Sequence, residues 1–141
     1  MKRISREDLW MNQAFLNSKR STCVKAQVGS VLIRDNRPVA GGYNGVAPSM
    51  DHDDQFDGDG NTTTIHAEAN MIAYCAKNGI RTNNTVLFVT LQPCLRCAQL
   101  IIQAGIIAVY YENDYRCNEG LDYLKMNDIR VFKYERKQKL I

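Results

Sequence analysis

The sequence contains no long apolar segment. Its first fifteen residues, "MKRISREDLWMNQAF", carry charged side chains throughout and lack the uninterrupted apolar stretch of a secretory signal or a membrane span. We therefore expect a cytoplasmic protein with no membrane association. With 141 residues, 45% of them hydrophobic, the chain is long enough to bury one core, so we predict a single domain over residues 1–141.

Histidine is scarce, and the cysteine count is odd. The chain has 2 histidines and 5 cysteines, which argues against a disulfide framework and favours free thiols or metal ligation. The chain also lacks a large excess of charge of one sign, because 18 Lys and Arg residues against 15 Asp and Glu residues give a net charge of only +3. This mild charge suits an anionic small molecule as well as nucleic acid and selects neither partner.

The apolar pattern predicts nine elements in the order α-β-β-α-β-α-β-α-β. Strands in the second half lack polar alternation, which is typical of parallel strands covered by helices on both faces. The residues from 45 to 64 are polar and read as a loop, and the tail from 135 to 141 is expected to be frayed. The predicted helices cover residues 5–19, 65–78, 93–104 and 120–128, and the predicted strands cover 27–33, 38–43, 85–91, 106–111 and 129–134.

Two cysteines stand three residues apart in "TLQPCLRCAQ", after an apolar run and Pro93. A Cys-x-x-Cys pair fits a redox dithiol, half of a structural zinc site or part of a catalytic zinc site. We predict that Cys94 and Cys97 lie in the first turn of a helix opened by Pro93, where both sulfurs share one face. Free backbone N–H groups and the helix dipole favour thiolates there.

A third ligand is predicted at His66 in "TIHAEAN", where another helix begins after a threonine cap. Three protein ligands leave the fourth zinc position for water, which is typical of catalytic sites. Glu68 can reach that water only if His66 precedes the regular helix, because residues two apart inside a helix point in different directions. His-x-Glu followed by Pro-Cys-x-x-Cys is the signature of zinc-dependent nucleobase deaminases, with the glutamate as general acid and base.

The chain resembles the deoxycytidylate (dCMP) deaminases of the cytidine deaminase superfamily. The resemblance is carried by "QVGSVLI", "GGYNG", "IHAEANMI", "VTLQPCLRCAQLIIQAGI" and "VYYENDY", between residues 23 and 115. It implies a three-layer α/β/α sandwich with a five-stranded mixed sheet. It also implies one zinc held by His66, Cys94 and Cys97, with Glu68 as proton shuttle in the conversion of dCMP to dUMP and ammonia.

The resemblance also implies nucleotide contacts and regulation. It predicts a homohexamer activated by dCTP and inhibited by dTTP, with Mg²⁺ on the triphosphate, and no stable nucleic-acid partner. The residues that it places on the substrate are Asn44, Tyr115, Lys25 and Ala67. The residues that it places on the effector are Arg34, Arg37, Gly42 and Asp54.

The chain departs from relatives that hold a second, structural zinc. Cys23 and His52 stand at positions that serve such a site, but Thr64 replaces the required glutamate and the loop has no cysteine. We therefore expect one zinc per chain.

Other interpretations remain open. The stretch from Asp57 to Glu68 nearly fits a calcium-binding EF-hand loop, but Thr62 stands where glycine is needed. A structural zinc module would need a fourth protein ligand, for which neither Cys75 nor Cys117 has a suitable spacing. A tRNA adenosine deaminase and a riboflavin-pathway deaminase share the zinc signature, although the modest basic charge disfavours the first.

Overall fold

The fold is taken from a computed structural model, which describes residues 2–51 and 63–141. Its elements follow the predicted order. They are α1 (Arg6–Ser18), β1 (Gly29–Arg34), β2 (Arg37–Tyr43), α2 (Ala67–Asn78), β3 (Thr85–Leu91), α3 (Leu95–Gln103), β4 (Ile106–Asn113), α4 (Glu119–Met126) and β5 (Arg130–Lys133). None of the helices in the described residues combines the length and the apolar character that crossing a membrane requires.

The five strands form one mixed sheet in the order β2-β1-β3-β4-β5. β1 is antiparallel to both β2 and β3, whereas β3, β4 and β5 are parallel. One face of the sheet packs against α1, and the other packs against α2, α3 and α4. The predicted three-layer α/β/α sandwich with a five-stranded mixed sheet is confirmed.

Local sequence explains much of this arrangement. The hairpin turns at Asp35 and Asn36, whose φ angles of 51° and 60° fit the tight turn that twisted strands prefer. Strand β3 is buried on both faces, as its unbroken apolar run predicts. In β4, Tyr110 packs on the α1 side and Tyr111 on the opposite side, because side chains alternate along a strand.

The starts of α2 and α3 differ from the prediction. Neither Thr64 nor Pro93 opens a helix; instead His66 and Cys94 occupy the N-cap positions with extended backbones, at ψ angles of 153° and 171°. Pro93 is fully buried, and the first turn of α4 packs on the peptide that follows it, so the chain stays extended for one residue more. Two of the three predicted ligands, His66 and Cys94, therefore lie immediately before a helix, and Cys97 lies in the first turn of α3.

The prediction of a frayed tail is wrong for residues 136–140. Arg136 is 8% exposed and forms a bidentate ion pair with Glu112, at 2.8 and 3.1 Å. Its Nη1 also donates to Asn12 at 3.0 Å, and the Asp8 carboxylate accepts the backbone N–H groups of residues 137 and 138. The tail lies against α1 because two polar side chains of that helix satisfy its backbone.

Candidate active site

Three metal-ligating side chains converge where α2 and α3 begin. His66 Nδ1 lies 3.5 Å from Cys94 Sγ and 3.4 Å from Cys97 Sγ, and the three donor atoms lie within 4.8 Å of one another. Among the described residues, this is the group of histidine, cysteine and acidic side chains arranged to hold an ion. His66 is exposed, Cys94 is half-buried and Cys97 is buried, so the cluster opens on one side.

The spacing of these atoms fits zinc. Bonds of about 2.3 Å to sulfur and 2.0 Å to nitrogen, at a tetrahedral angle, place the two ligand atoms about 3.5 Å apart. The observed nitrogen to sulfur distances of 3.5 and 3.4 Å match that value. Two thiolates and one imidazole are also the donor types that zinc prefers, and three of them leave one tetrahedral position free.

Glu68 lies beside the cluster in the first turn of α2. It is 4% exposed, and burial raises the pKa of its carboxyl to about 7, against the lowering effects of its own backbone N–H and of the His66 charge. Because His66 is outside the regular helix, His66 and Glu68 reach the same site although they are only two residues apart. Glu68 was predicted to share the site only if His66 precedes the regular helix, and the structure shows this arrangement.

The two thiols differ in their protonation. A hydrogen bond from Cys97 lowers the pKa of Cys94 to about 4, and the same contact together with burial raises the pKa of Cys97. The Cys94 side chain in turn raises the pKa of His66. Cys94, the more exposed of the two thiols, is therefore the more readily deprotonated.

His66, Cys94 and Glu68 line a cavity of about 340 Å³. All four residues predicted to touch substrate, Lys25, Asn44, Ala67 and Tyr115, line this cavity. Lys25 is exposed, whereas Ala67 is buried at the start of α2. Asn44 accepts the N–H of Val28 at 2.9 Å and donates to the carbonyl of Ala26 at 2.8 Å, so its amide also shapes the cavity wall.

The residues predicted to contact an effector lie elsewhere or outside the described residues. Arg34 and Arg37 flank the hairpin turn, and Arg34 Nη2 donates to the carbonyl of Arg81. Gly42 faces α2: a Cβ there would lie 2.9 Å from Ala67 O and 3.2 Å from Met71 Cβ. Asp54 lies outside the described residues.

The positions linked to a second metal are only partly described. Cys23 is buried, with its sulfur 4.0 Å from Thr64 Oγ1, and both residues line the main cavity. His52 and the residues from 57 to 62, on which the EF-hand alternative depends, lie outside the described residues. The expectation of a single zinc stays a prediction.

Two residues of the cavity wall were missed by sequence reasoning. Arg116 lines the cavity, with its guanidinium 5.5 Å from the centre of the Tyr115 ring, and Gln92 lines it beside Cys94. Arg116 directly follows the matched segment "VYYENDY", so a cation next to Tyr115 was the available signal. No local pattern identifies Gln92, because its role depends on contacts with residues more than twenty positions away.

Comparison with known proteins agrees with this geometry. Residues 4–113 match the family described as the cytidine and deoxycytidylate deaminase zinc-binding region. The chain is 43% identical over 120 residues to ComE operon protein 2 of Bacillus subtilis, covering 82% of this chain and 64% of that protein. It is 33% identical over 129 residues to the deoxycytidylate deaminase of Saccharomyces cerevisiae, covering 83% of this chain and 40% of that enzyme.

A solved structure is similar over its full length. The dCMP deaminase of cyanophage S-TIM5, crystallised in complex with dCMP and dUMP, is 31% identical and superimposes with a TM-score of 0.88, covering 95% of this chain and 100% of the phage chain. The chain thus spans only 64% and 40% of the two curated relatives, but all of the phage chain. The match over residues 4–113 and the phage structure lead to one conclusion: the chain belongs to the cytidine and deoxycytidylate deaminase family.

Proposed function

We propose that this protein hydrolyses dCMP to dUMP and ammonia. The observation that carries the proposal is a buried carboxyl, Glu68, beside a three-ligand cluster that opens into one cavity. A closed structural zinc site needs four protein ligands, whereas this cluster has three among the described residues. The arrangement therefore favours an enzyme over a structural zinc module.

In this proposal His66, Cys94 and Cys97 hold zinc. Bound zinc supplies a Lewis acid and makes water available as a nucleophile near neutral pH. Glu68 would handle the protons: it accepts one from the attacking water and delivers it to N3 of the cytosine ring as the C4–O bond forms. It then takes the remaining proton from the new C4 hydroxyl and passes it to the amino group, so that the C4–N bond breaks, ammonia leaves and the C4 carbonyl of dUMP forms. A carboxyl with a pKa of about 7 suits both directions of transfer near neutral pH.

The cavity wall supports a nucleotide as the substrate. Lys25 and Arg116 are exposed cations at the cavity, which suits a 5′-phosphate. Tyr115 offers an aromatic face, and we assign Asn44 to the sugar and Ala67 to the base. The phage enzyme of similar structure was crystallised with dCMP and dUMP.

We also infer that residues 1–141 form one zinc-dependent deaminase domain that works as a cytoplasmic homohexamer. The proposed regulation is activation by dCTP and inhibition by dTTP, each with Mg²⁺. Its proposed contacts are Arg34, Arg37, Gly42 and Asp54. Of these, Arg34 and Arg37 are cations at the two sides of one hairpin turn, which suits a triphosphate.

The substrate is tested by incubating the zinc-loaded protein separately with dCMP, CMP, deoxycytidine and tRNA, with ammonia release as the readout. We expect turnover of dCMP and at least about tenfold weaker use of deoxycytidine, because the nucleoside lacks the phosphate that pairs with the two cations. Turnover of tRNA without turnover of dCMP would establish the adenosine deaminase alternative instead.

Regulation and assembly need a separate measurement. The rate with dCMP is titrated against dCTP and dTTP, with and without Mg²⁺, while light scattering gives the mass of the assembly. Equal rates at every effector concentration would reject an effector site, and a mass other than six chains would reject the hexamer.

A further inference from the structure

We propose that Gln92 is a positioning residue that fastens one wall of the substrate cavity to the segment carrying Cys94. The wall is the loop of residues 114–118, which joins β4 to α4 and carries Tyr115 and Arg116. The proposal rests on the proposed deamination, in which Tyr115 and Arg116 contact the nucleotide, and it names Gln92 as the residue that positions both side chains.

The hydrogen bonds of Gln92 all lead to this loop and its neighbours. Its Nε2 donates to the carbonyl of Cys117 at 2.9 Å and to Asn118 Oδ1 at 3.1 Å, and its Oε1 accepts the N–H of Tyr115 at 3.2 Å. Its backbone N–H donates to the carbonyl of Asn113 at 2.8 Å. One side chain thus binds the loop at its beginning and at its end.

Gln92 acts by holding the loop in position and not by contact with the reacting atoms. It is 3% exposed and lies two residues before Cys94, with the fully buried Pro93 between them. Both donors of its amide nitrogen are used by the loop, so none is left for a substrate. Gln92 therefore has neither a free donor nor a titrating group with which to transfer a proton to the substrate.

The loop needs this attachment because it is not supported by packing on all sides. A second, polar cavity of about 450 Å³ borders the same loop and is lined by Asp114, Tyr115 and Asn118, together with residues of β4 and α4. Tyr115 therefore contacts open space on both the substrate cavity and this second cavity. The backbone of the loop is therefore held by hydrogen bonds more than by apolar contacts.

The other end of the loop is fixed by close packing. Gly120, in the first turn of α4, lies where an added Cβ would come within 2.2 Å of Pro93 O and 2.9 Å of Cys94 O. The helix after the loop therefore rests on the same peptide that leads into the metal cluster. Between that packed point and β4, an exposed ion pair from Lys133 to Asp114, at 2.7 Å, and the buried side chain of Gln92 hold the loop. Of these two, only Gln92 bonds to the backbone on both sides of Arg116.

The test uses the full zinc-loaded chain with two substitutions at this position. Gln92→Met preserves length and approximate volume but removes every side-chain hydrogen bond, whereas Gln92→Glu keeps an acceptor for Tyr115 N and loses both donors. Gln99→Ala, at an exposed glutamine of α3, is the control. Three quantities are measured: kcat and KM for dCMP, zinc content, and amide hydrogen exchange at Tyr115.

For Gln92→Met we expect KM to rise about tenfold while kcat stays within about threefold, because binding contacts are displaced but the proton chemistry is not. Zinc content should be unchanged, and the Tyr115 amide should exchange at least about tenfold faster. Gln92→Glu should also raise KM and speed the exchange at Tyr115, because its carboxylate oxygen would face the Cys117 carbonyl and Asn118 Oδ1, which are both acceptors. Gln99→Ala should match the unmodified chain in all three measurements.

The opposite results would overturn the assignment. Unchanged KM with unchanged exchange at Tyr115 would show that the loop does not depend on Gln92. A lower kcat at constant KM would indicate a direct catalytic role, and loss of zinc would indicate support of the metal ligands instead. If the unmodified chain does not turn over dCMP, the proposed function fails, but the exchange measurement still decides the role of Gln92.

Discussion

Helix α1 and helices α2 and α3 begin in different ways. At α1, Ser5 occupies the N-cap and its Oγ accepts the backbone N–H of Asp8 at 3.1 Å, the usual way of satisfying a helix start. At α2 and α3, the N-caps are His66 and Cys94, and neither side chain makes a capping hydrogen bond of ordinary geometry. Sulfur is a weak acceptor, although the Cys97 N–H lies close enough to lower the pKa of Cys94.

This difference in N-cap side chains separates a helix start that stabilises its own helix from helix starts that supply ligands to a shared site. An N-cap side chain is not yet committed to the helix surface, so it can turn toward its own backbone or toward a neighbour. Ser5 turns toward its own helix and stabilises it. The side chains of His66 and Cys94 turn toward each other, so the starts of two separate helices contribute to one ion site. As a result, the first backbone N–H groups of α2 and α3 have no strong side-chain acceptor.

The largest expected effect comes from removing one thiol of the cluster. Cys97→Ala should reduce zinc content to a small fraction and lower deaminase activity by at least about a thousandfold, because two ligands do not retain the ion that activates water. Cys75→Ala removes an equally buried thiol outside the cluster and should keep both zinc and activity. Metal analysis and an ammonia assay compare the two variants; full zinc in Cys97→Ala would contradict the ligand assignment.

The next effect separates proton transfer from metal binding. Glu68→Gln keeps the shape of the side chain but cannot accept a proton, so turnover should fall by about 10² to 10⁴ while zinc content is retained. Glu119→Gln, at the exposed glutamate in the first turn of α4, is the matched control and should leave activity unchanged. Rate and zinc measurements on both proteins provide the test, and an active Glu68→Gln enzyme would exclude the proton-shuttle role.

A third effect concerns stability on the α1 side of the sheet. Arg136→Met leaves Glu112 buried without its cation, which should lower the free energy of unfolding by about 3 to 5 kcal/mol, the usual range for breaking a buried ion pair. Arg130→Met, at an exposed arginine of β5, should change it by less than about 0.5 kcal/mol. Urea unfolding of the two variants measures the difference; equal midpoints would mean that the tail contributes little.

A smaller effect tests the two kinds of helix start directly. Ser5→Ala should lower the free energy of unfolding by about 1 kcal/mol, because it removes a working cap. Cys94→Ser should do the opposite in chelator, raising it by up to about 1 kcal/mol, because a hydroxyl caps better than a thiol. With zinc present the sign should reverse, since only the unmodified site gains binding energy; a Cys94→Ser protein less stable in chelator would refute this account.

The smallest expected effect is a dependence of the free energy of unfolding on pH in the acidic range. Burial raises the pKa of Asp8, but the backbone N–H of Lys137, with Tyr134 and Gln138, outweighs this and holds the pKa below its ordinary value of 3.8. Its contribution to stability is therefore present above pH 3.8 and is lost as the pH falls through the lowered folded-state value. Asp8→Asn should flatten that part of the stability profile, which unfolding midpoints measured across acidic pH would show.

Sequence reasoning predicted the element order because apolar periodicity is local. It expected His66 at the very first turn of its helix because Glu68 had to share its site, and the structure places His66 at the N-cap. It placed Pro93 at the start of α3, since it could not know that Gly120 packs on the following peptide. It missed the docked tail for the same reason, because Asp8 and Asn12 bind residues more than 120 positions away. Contacts between distant polar groups and backbone leave no periodic signal.

The absence of a side chain at Gly120 also bears on how this protein can be altered. Since even a methyl group there meets Pro93 O at 2.2 Å, a library randomised at this codon should return glycine in almost every active clone. Neighbouring codons 115 and 116 face the cavity and carry no such restriction. Directed evolution of new nucleotide preferences can therefore vary the side chains at positions 115 and 116, provided that the closely packed glycine at residue 120 is kept.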